Sequence, residues 1–517
     1  MFTDERNAAY GHLLLAGLLF ALAACSGTPA DKSATASTAA STPVITSDGT
    51  DFYLTFPDHI CSSDPGSCVN GTVSNKLVIA AAAAATGNVT FNGISTTFAV
   101  SANGSTIVSL DAGVVLTAND TVESRGIHVT SDTPVSVHAV SENISSADGY
   151  LALPTNGLGT NYRIMSYASS RYYGSEFAMV ATQDATTVTI TPSASGASRL
   201  AGTAYSITLN AGQTYQLQNT GAADMTGSLI SADKPIAVFG GHRCVDIPNA
   251  TGYCDYLVEQ LPDTSVWGNT FQTMPFSGRT RYTVRILASM DGTTISSSPA
   301  GLVNATLNAG QYADLVLSSA AEFSSNNPVL VAQYINGFED DGAKMGDPSM
   351  VLVTPIEMGM TSSTFGVYAL TGSSGSMLNI VTQSSALAGL MLDGTVVDST
   401  KFAPVSSNSL YSKATLPVSA GVHKLSGTAA FSAMVYDYGT AWNAVSYAWP
   451  VATMLSLPDS NTVASNTPAT GTCEDEEDEH HHHHRVRHEH HHYWGKYCLI
   501  HHTAHRHDGD DHEYECH

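Results

Sequence analysis

The sequence predicts an all-β protein built from about four tandem, imperfect repeats of roughly 95 residues. Three prolines that each lead a short apolar segment, Pro134, Pro235 and Pro328, lie 101 and 93 residues apart. An apolar segment ending in Asn-Ala-Gly comes before two of them, at residues 207–213 and 305–311. Short alternating segments are frequent and long amphipathic helices are absent, which favours antiparallel strands.

The repeats indicate a division of the chain into a signal, a linker, four β units and a tail. We favour sandwich-like antiparallel modules for the units, and the alternative is a propeller-like ring closed by a strand at residues 445–450. The predicted segments are the signal at 1–25, the linker at 26–47, the units at 48–147, 148–254, 255–346 and 347–455, and the tail from 456 to 517.

The segment from Ser231 to Gly268 shows the elements of one unit most clearly. Asp233-Lys-Pro235 is typical of a turn, and a proline can open a strand but is disfavoured inside one. Ile236–Phe239 has the length and apolar character of a strand, and a loop bounded by cysteines leads to a second strand. Alternation predicts half-buried strands elsewhere, and the alanine run is read as a strand or strand edge: Thr187–Ile190, Tyr205–Leu209, Tyr282–Leu287 and Ala80–Ala85.

Several of these segments resemble the N-terminal domain of the IgGFc-binding protein family and its bacterial relatives, over roughly residues 45–450. They are Asp148–Pro154 with Gly159–Tyr162, Phe239–Cys244 with Cys254–Pro262 and Trp267-Gly268, and Gly346–Pro355. The resemblance implies an extracellular, non-enzymatic, all-β binding or adhesion domain. Gly346-Asp-Pro-Ser349 lacks the histidine of the mucin-type cleavage motif, so self-cleavage is not expected. The resemblance identifies no ligand-contacting residue and does not imply immunoglobulin binding.

The N-terminus is typical of an export signal. The apolar run Leu13–Ala24 is short for a membrane span and ends in Leu22-Ala-Ala-Cys25, which resembles a bacterial lipobox. We therefore expect Cys25 to be lipidated and the protein to be anchored in the cell envelope, at the outer membrane or cell surface. An ordinary secretory signal cleaved near Ala24 is the alternative. The Ser/Thr/Ala/Pro-rich linker is expected to be disordered.

Two pairs of cysteines are candidates for disulfides. Cys61 and Cys68 flank a Asp-Pro-Gly turn, and Cys244 and Cys254 enclose a loop with a proline and a glycine. Close pairs around turns in an exported chain favour disulfides. A metal pair is the competing interpretation, although no second Cys/His pair lies nearby in either case.

Composition argues against several classes of function. The net charge is −25, with 20 basic and 45 acidic residues, and no basic stripe suggests a nucleic-acid partner. No catalytic pattern occurs, and His242, beside Cys244, is interpreted as a hydrogen-bonded structural histidine.

The acidic loop at residues 339–347 is a candidate for Ca²⁺ through oxygen ligands, with a solvated loop as the alternative. The sequence predicts no required cofactor.

The tail from Cys473 to His517 contains 15 of the 21 histidines together with an acidic run. Imidazole is a common ligand of transition metals, so the tail is expected to chelate Zn²⁺, Ni²⁺ or Cu²⁺ at several weak sites and to be disordered. Its candidate ligands are His480, His481, His482, His483, His484, His488, His490, His491, His492, His501, His502, His505, His507, His512, His517, Cys498 and Cys516.

Three functions follow from these observations. The first is a lipid-anchored surface protein whose β units bind an extracellular protein or glycan. The second is a metal-sequestering surface protein in which the β units are a stalk for the tail. The third is an extracellular hydrolase, which requires a deep polar pocket with a histidine and a carboxylate within hydrogen-bond reach.

Overall fold

The computed structural model describes residues 44–456, apart from residues 70, 173, 408 and 440–442. The predictions for the signal, most of the linker and the tail therefore lie outside the described residues. The described chain forms thirty β-strands, one α-helix, α1 (Ile60–Ser63), and seven 3₁₀ helices. The 3₁₀ helices are Pro65–Ser67, Ala112–Val114, Thr155–Gly157, Thr264–Val266, Ile356–Met358, Ser384–Gly389 and Ser399–Lys401.

The all-β prediction is confirmed, and the strands fall into four successive sets. None of the helices in this part of the chain has the length and apolar character needed to cross a membrane. The first set, unit 1, contains β1 (Gly49–Leu54), β2 (Ser74–Ala81), β3 (Ala85–Phe91), β4 (Ile94–Val100), β5 (Gly104–Ser109), β6 (Thr121–Glu123), β7 (Ile127–Asn143) and β8 (Ser146–Leu151).

The second set also has eight strands, and the third has six. Unit 2 contains β9 (Asn161–Arg163), β10 (Ser175–Ala181), β11 (Thr186–Thr191), β12 (Tyr205–Leu209), β13 (Thr214–Gln218), β14 (Leu229–Ala232), β15 (Ile236–Val245) and β16 (Asp255–Leu261). Unit 3 contains β17 (Gly268–Thr273), β18 (Tyr282–Ala288), β19 (Ile295–Ser298), β20 (Tyr312–Leu317), β21 (Ala321–Ile335) and β22 (Ser349–Leu352).

The fourth set ends the described chain. Unit 4 contains β23 (Met360–Val367), β24 (Ser376–Gln383), β25 (Met391–Leu392), β26 (Thr395–Val396), β27 (Ala403–Pro404), β28 (Tyr411–Val418), β29 (Gly421–Tyr438) and β30 (Ser446–Pro450). The alanine run near residue 80 ends β2 and begins β3, with a turn between them, as the strand-edge interpretation expects.

Each unit is built around one long strand whose two halves belong to two antiparallel sheets. The first half of β7 pairs with β1 and β3, and its second half pairs with β2 and β8. In unit 3, β21 pairs in the same way with β17 and β19, then with β18 and β22. β29 does so in unit 4 with β23 and β25, then with β24 and β30. In unit 2 the turn at Asp233–Pro235 divides this strand into β14 and β15.

The expectation that the repeated prolines precede their strands holds for Pro235 and is wrong for Pro134 and Pro328. Pro134 lies inside β7 and Pro328 inside β21. Both occupy the point where the long strand passes from one sheet to the other, and the register shifts there, between Gly268 and Thr270 in unit 3. A missing N–H is tolerated at such an irregular point because fewer ladder bonds are required.

The four units close into a ring around an axis. We call β8, β16, β22 and β30, the last strand of each unit, the axial strands. β8 packs against β16 and β30, and β22 packs against the same two strands. β30 joins the last unit to the first through β8, which is the closure that the alternative of a ring expected of residues 445–450. Of the predicted boundaries, 148 lies inside β8, 255 is the first residue of β16 and 347 comes two residues before β22, whereas the hydrogen bonds join each of these strands to the preceding unit.

Neighbouring units of the ring share core residues, and this sharing buries both faces of the strands that lie between two units. The core of unit 1 includes Phe52 and Val137 of its own sheets and also Ala178 and Phe239 of unit 2. The same sharing joins unit 2 to unit 3, unit 3 to unit 4, and unit 4 to Val78 of unit 1. The prediction of a half-buried strand at Tyr282–Leu287 is therefore wrong, because the residues of β18 that point away from their own sandwich meet the neighbouring unit.

The two ends of the described chain meet at one end of the axis. Leu455 N donates to Ile45 O over 2.7 Å and Ser47 N donates to Thr453 O over 2.9 Å. Thr46 and Met454 form an antiparallel bridge. We call this paired segment, residues 45–47 with 453–456, the clasp. It fixes the side of the ring on which both chain ends lie.

Candidate binding site at the axial mouth of the ring

A pocket opens where the four axial strands begin, at the end of the axis opposite the clasp. All four units contribute to it, and its volume is about 580 Å³. Pockets of this size at the meeting point of several modules are common sites for ligands. We call it the axial pocket, and its lining consists of Val69, Ser145, Tyr253, Cys254, Phe338, Glu339, Lys344, Asp347 and Ala444.

The rim of the axial pocket carries two aromatic rings from different units. Tyr253 is 52% exposed, and its ring meets that of Phe338 edge to face, with centroids 5.5 Å apart and planes at 69°. The Lys344 ammonium lies 5.3 Å from the centroid of Phe338 and pairs with Glu339. Aromatic and charged groups thus stand together at the opening of the pocket.

Both disulfide loops border this pocket, and both predicted disulfides are formed. Cys61 joins Cys68 with Cα atoms 5.3 Å apart, and Cys244 joins Cys254 with Cα atoms 5.1 Å apart. Arg243 links the two loops, because its guanidinium donates to Ser63 Oγ over 2.8 Å. A cross-link reduces the conformational freedom of its loop, so these loops present Val69 and Tyr253 on a constrained backbone.

A histidine supports each disulfide in the same way. His59 Nδ1 accepts from Cys61 N over 3.1 Å, and His242 Nδ1 accepts from Cys244 N over 3.0 Å. Burial lowers the pKa of both imidazoles to about 3, so they are neutral at physiological pH. The structural role expected for His242 is confirmed, and His59 shows that it is a repeated feature, His-x-Cys.

The acidic loop at residues 339–347 is held by arginines. Arg279 Nε donates to Asp341 over 2.9 Å, and Arg281 contacts Asp340 through two nitrogens, the shorter distance being 2.6 Å. Two of the carboxylates that were candidates for Ca²⁺, Asp340 and Asp341, are therefore partnered with guanidinium groups, and Glu339 pairs with Lys344. In the described range no three His, Cys, Asp or Glu residues are grouped so that they could hold a metal ion.

Four buried carboxyl groups lie along the ring axis, beginning with Asp347 in the lining of the axial pocket, and the other three join axial strands of different units. Asp148 accepts from Val258 N of β16 and from Ser349 Oγ of β22, and Asp255 accepts from Ala147 N of β8. Glu259 accepts from Leu352 N, and Asp347 accepts from Phe338 N. Burial raises the pKa of all four groups well above the usual range.

A second cavity lies at the clasp end of the axis. It is small, about 50 Å³, and its wall is mostly apolar, with Trp267, Phe271, Leu330, Met454 and Leu455 among the lining residues. Two of these residues, Met454 and Leu455, belong to the clasp itself. The volume is far below that of the axial pocket, so the axial pocket is the candidate binding site.

The hydrolase hypothesis requires a histidine–carboxylate pair in a pocket together with a nucleophile. His128 Nε2 lies 2.8 Å from Asp51 Oδ2 beside an open cavity, but among the described residues no hydroxyl group is hydrogen-bonded to this imidazole. A second pair has a serine nearby but the wrong hydrogen bonds. His423 Nδ1 lies 2.7 Å from Asp393 Oδ2, and Ser419 Oγ lies 3.4 Å from His423 Nε2. The same Nε2 lies 2.9 Å from the carbonyl oxygen of Ser419, which can only accept. Nε2 must therefore donate and cannot take the serine proton. This group lies outside the axial pocket.

The predicted lipidation residue Cys25 and all the candidate metal ligands of the tail lie outside the described residues. The structure brings the four predicted disulfide cysteines to one face of the ring, together with the acidic loop. Sequence reasoning missed Tyr253, Phe338 and Lys344 as site residues. The positions of Tyr253 between Gly252 and Cys254, and of Phe338 after Asn336-Gly337, are loop signals that could have indicated exposed aromatic residues.

Comparison with known proteins gives the family. A family model described as IgGFc binding protein matches residues 148–436, which is more than half of the chain. The chain belongs to this family. The IgGFc-binding protein of Homo sapiens is 27% identical over 281 residues, which are 53% of this chain and 5% of the human protein. The chain thus spans about a twentieth of the length of that relative. The family match begins at β8 and omits most of unit 1, although strand packing places unit 1 in the same ring.

Proposed function

We propose that this member of the IgGFc-binding family is a non-catalytic, exported binding protein that holds an extracellular partner at the axial pocket. The observation that carries the proposal is that loops of all four units converge there, two of them closed by disulfides. Membership of a family named for binding, and the unsuitable hydrogen bonds of His423, both favour binding over catalysis. The partner is an extracellular protein or glycan.

The test is a screen of the full chain against protein and glycan arrays, followed by matched variants. Tyr253→Ala removes the exposed ring at the pocket, and Leu200→Ala removes a side chain that is 67% exposed in unit 2 and is not part of the pocket lining. A partner captured through the pocket should bind the first variant more weakly and the second unchanged. Equal binding by both variants would contradict the proposal.

We further propose that Cys25 carries a lipid and that the ring stands on the cell envelope with the axial pocket outward. The clasp supports this orientation, because Ile45 and Ser456 leave the ring at the end opposite the pocket. A linker of about 20 residues would space the ring ~25 Å from the membrane. Acyl labelling of the full chain and of Cys25→Ser tests this, and a variant that stays labelled refutes it.

The second candidate function, metal sequestration, is favoured by the concentration of histidines in the tail. Deletion of residues 473–517 separates the two functions when partner binding and Zn²⁺, Ni²⁺ and Cu²⁺ binding are both measured. Loss of metal binding with unchanged partner binding supports a tail that works independently of the ring. Loss of partner binding upon this deletion would contradict the axial-pocket proposal.

A further inference from the structure

The axial pocket already contains a cation supplied by the chain itself. Lys344 pairs with Glu339 and lies over the ring of Phe338 at 5.3 Å. An ammonium group between a carboxylate and an aromatic face is the arrangement by which proteins recognise cationic ligands. The contacts of Lys344 therefore show that the groups around it, Glu339 and Phe338, suit a cation.

This internal cation is weakly held. The side chains of Lys344 and Glu339 are 49% and 40% exposed, and exposed ion pairs contribute little because water screens them. A ligand cation can therefore replace Lys344 with little loss of stability. The replacement would leave Glu339 and the face of Phe338 available to the ligand.

The remaining groups of the pocket favour a cation over an anion. Tyr253 stands edge-on to Phe338 with half of its surface exposed, so a second aromatic face is open beside the first. Glu339 is the acidic group at the opening, whereas Asp347 is only 2% exposed and burial raises its pKa, and Lys344 is the single basic residue of the described lining. Once Lys344 moves aside, the described lining keeps the exposed carboxylate of Glu339 and has no basic residue.

We infer that the axial pocket binds an arginine or lysine side chain of an extended segment of an extracellular protein, and that Lys344 occupies this site until the partner displaces it. The inference rests on the proposed function and names its ligand chemistry. Arginine fits best, because its planar guanidinium can stack on Phe338 or Tyr253 while donating to Glu339. Lys344 thereby acts as a competitor built into the site.

The experiment uses the full chain and two synthetic pentapeptides with a central arginine or its neutral isostere citrulline, flanked by glycines. The arginine peptide should bind at least tenfold more tightly, and added salt should weaken it. Agmatine, a small amine with the same guanidinium, distinguishes a peptide site from a small-amine site. Agmatine binding more tightly than the peptide would overturn the assignment to a protein partner.

Three variants test the inference: two should weaken binding of the arginine peptide and one should tighten it. Tyr253→Ala should weaken arginine-peptide binding about two- to fivefold, the usual contribution of an exposed cation–π contact. Glu339→Gln should also weaken it. Lys344→Ala should instead tighten binding by a few fold, a change that damage to the fold would not produce, and thermal unfolding of each variant provides the control.

Two results would overturn the inference: equal binding of the arginine and citrulline peptides, or Lys344→Ala binding no more tightly than the wild type. Either result is distinguishable from failure of the proposed function. If array partners still depend on Tyr253, the pocket binds a partner by other chemistry and only this inference fails. If they do not depend on Tyr253, the proposed function fails as well.

Discussion

Arg285 joins units 2 and 3, and its removal is expected to destabilise the ring strongly. It lies on β18 with 2% of its side chain exposed. Its Nη1 donates to Ser166 O, to Asp224 Oδ2 and to Thr226 Oγ1 of unit 2, over 2.7–2.8 Å. Its Nε and Nη2 donate to the two oxygens of Asp314, each over 2.7 Å.

The expected loss of stability follows from the groups that would lose their partner when Arg285 is replaced. Arg285→Ala leaves the carboxylate of Asp224, only 11% exposed, without its guanidinium partner, and it removes contacts with the rings of Tyr167 and Tyr312 at 4.3 and 4.0 Å. Breaking a buried ion pair from one side costs about 3–5 kcal/mol. Arg285→Lys keeps the charge but cannot contact both carboxylates in the planar geometry, so we expect a smaller loss, about 1–3 kcal/mol.

The assay is equilibrium unfolding in urea, followed by tryptophan fluorescence and by circular dichroism. Arg171→Ala, which removes an exposed arginine of unit 2, is the matched control and should change the free energy of unfolding by less than about 0.5 kcal/mol. The reasoning is refuted if Arg285→Ala unfolds within about 1 kcal/mol of the wild type, or if Arg285→Lys is as damaging as alanine.

Three further changes test other parts of the ring. Replacing Cys61 and Cys68 together by serine should cost about 2.5 kcal/mol of unfolding free energy relative to the oxidised wild type, and the difference should vanish when variant and wild type are both reduced. Glu259→Gln tests its raised pKa. Stability that the wild type has below pH ~4.3 is lost as pH rises towards the folded pKa, so the variant should gain about 1.4 kcal/mol per pH unit relative to wild type, and a pH-independent difference contradicts this. Gly149→Ala should destabilise by about 1–3 kcal/mol in thermal unfolding, because its Cβ would lie 2.9 Å from the ring of Trp449; an unchanged Tm contradicts it.

The repeats and their strands could be predicted from the sequence because they depend on local patterns. Period-two alternation describes β11 and β12 well, since their outward side chains face solvent. The cysteine pairs were predictable because each encloses a short turn. In both cases the determining contacts lie within a few residues of each other along the chain.

Ring closure and the site depend on contacts between distant segments, which local patterns do not encode. The alternation around Arg285 in the middle of β18 predicts a solvent-facing position, although its partners Ser166 and Asp224 lie in another unit. Likewise, nothing near Tyr253 in sequence indicates Phe338, 85 residues later. The positions of Pro134 and Pro328 inside long strands could not be predicted, because the passage of a strand from one sheet to another is a tertiary feature.

The position of the clasp has a mechanical consequence. A pulling force applied between residues 45 and 456 would open the clasp hydrogen bonds in succession and would not stretch the sheets. A force applied between the clasp and a partner seated at the axial pocket acts along the length of β8, β16, β22 and β30. Bonds of strands loaded lengthwise must break together, so the fold is toughest in the direction in which a tethered, occupied ring would be pulled.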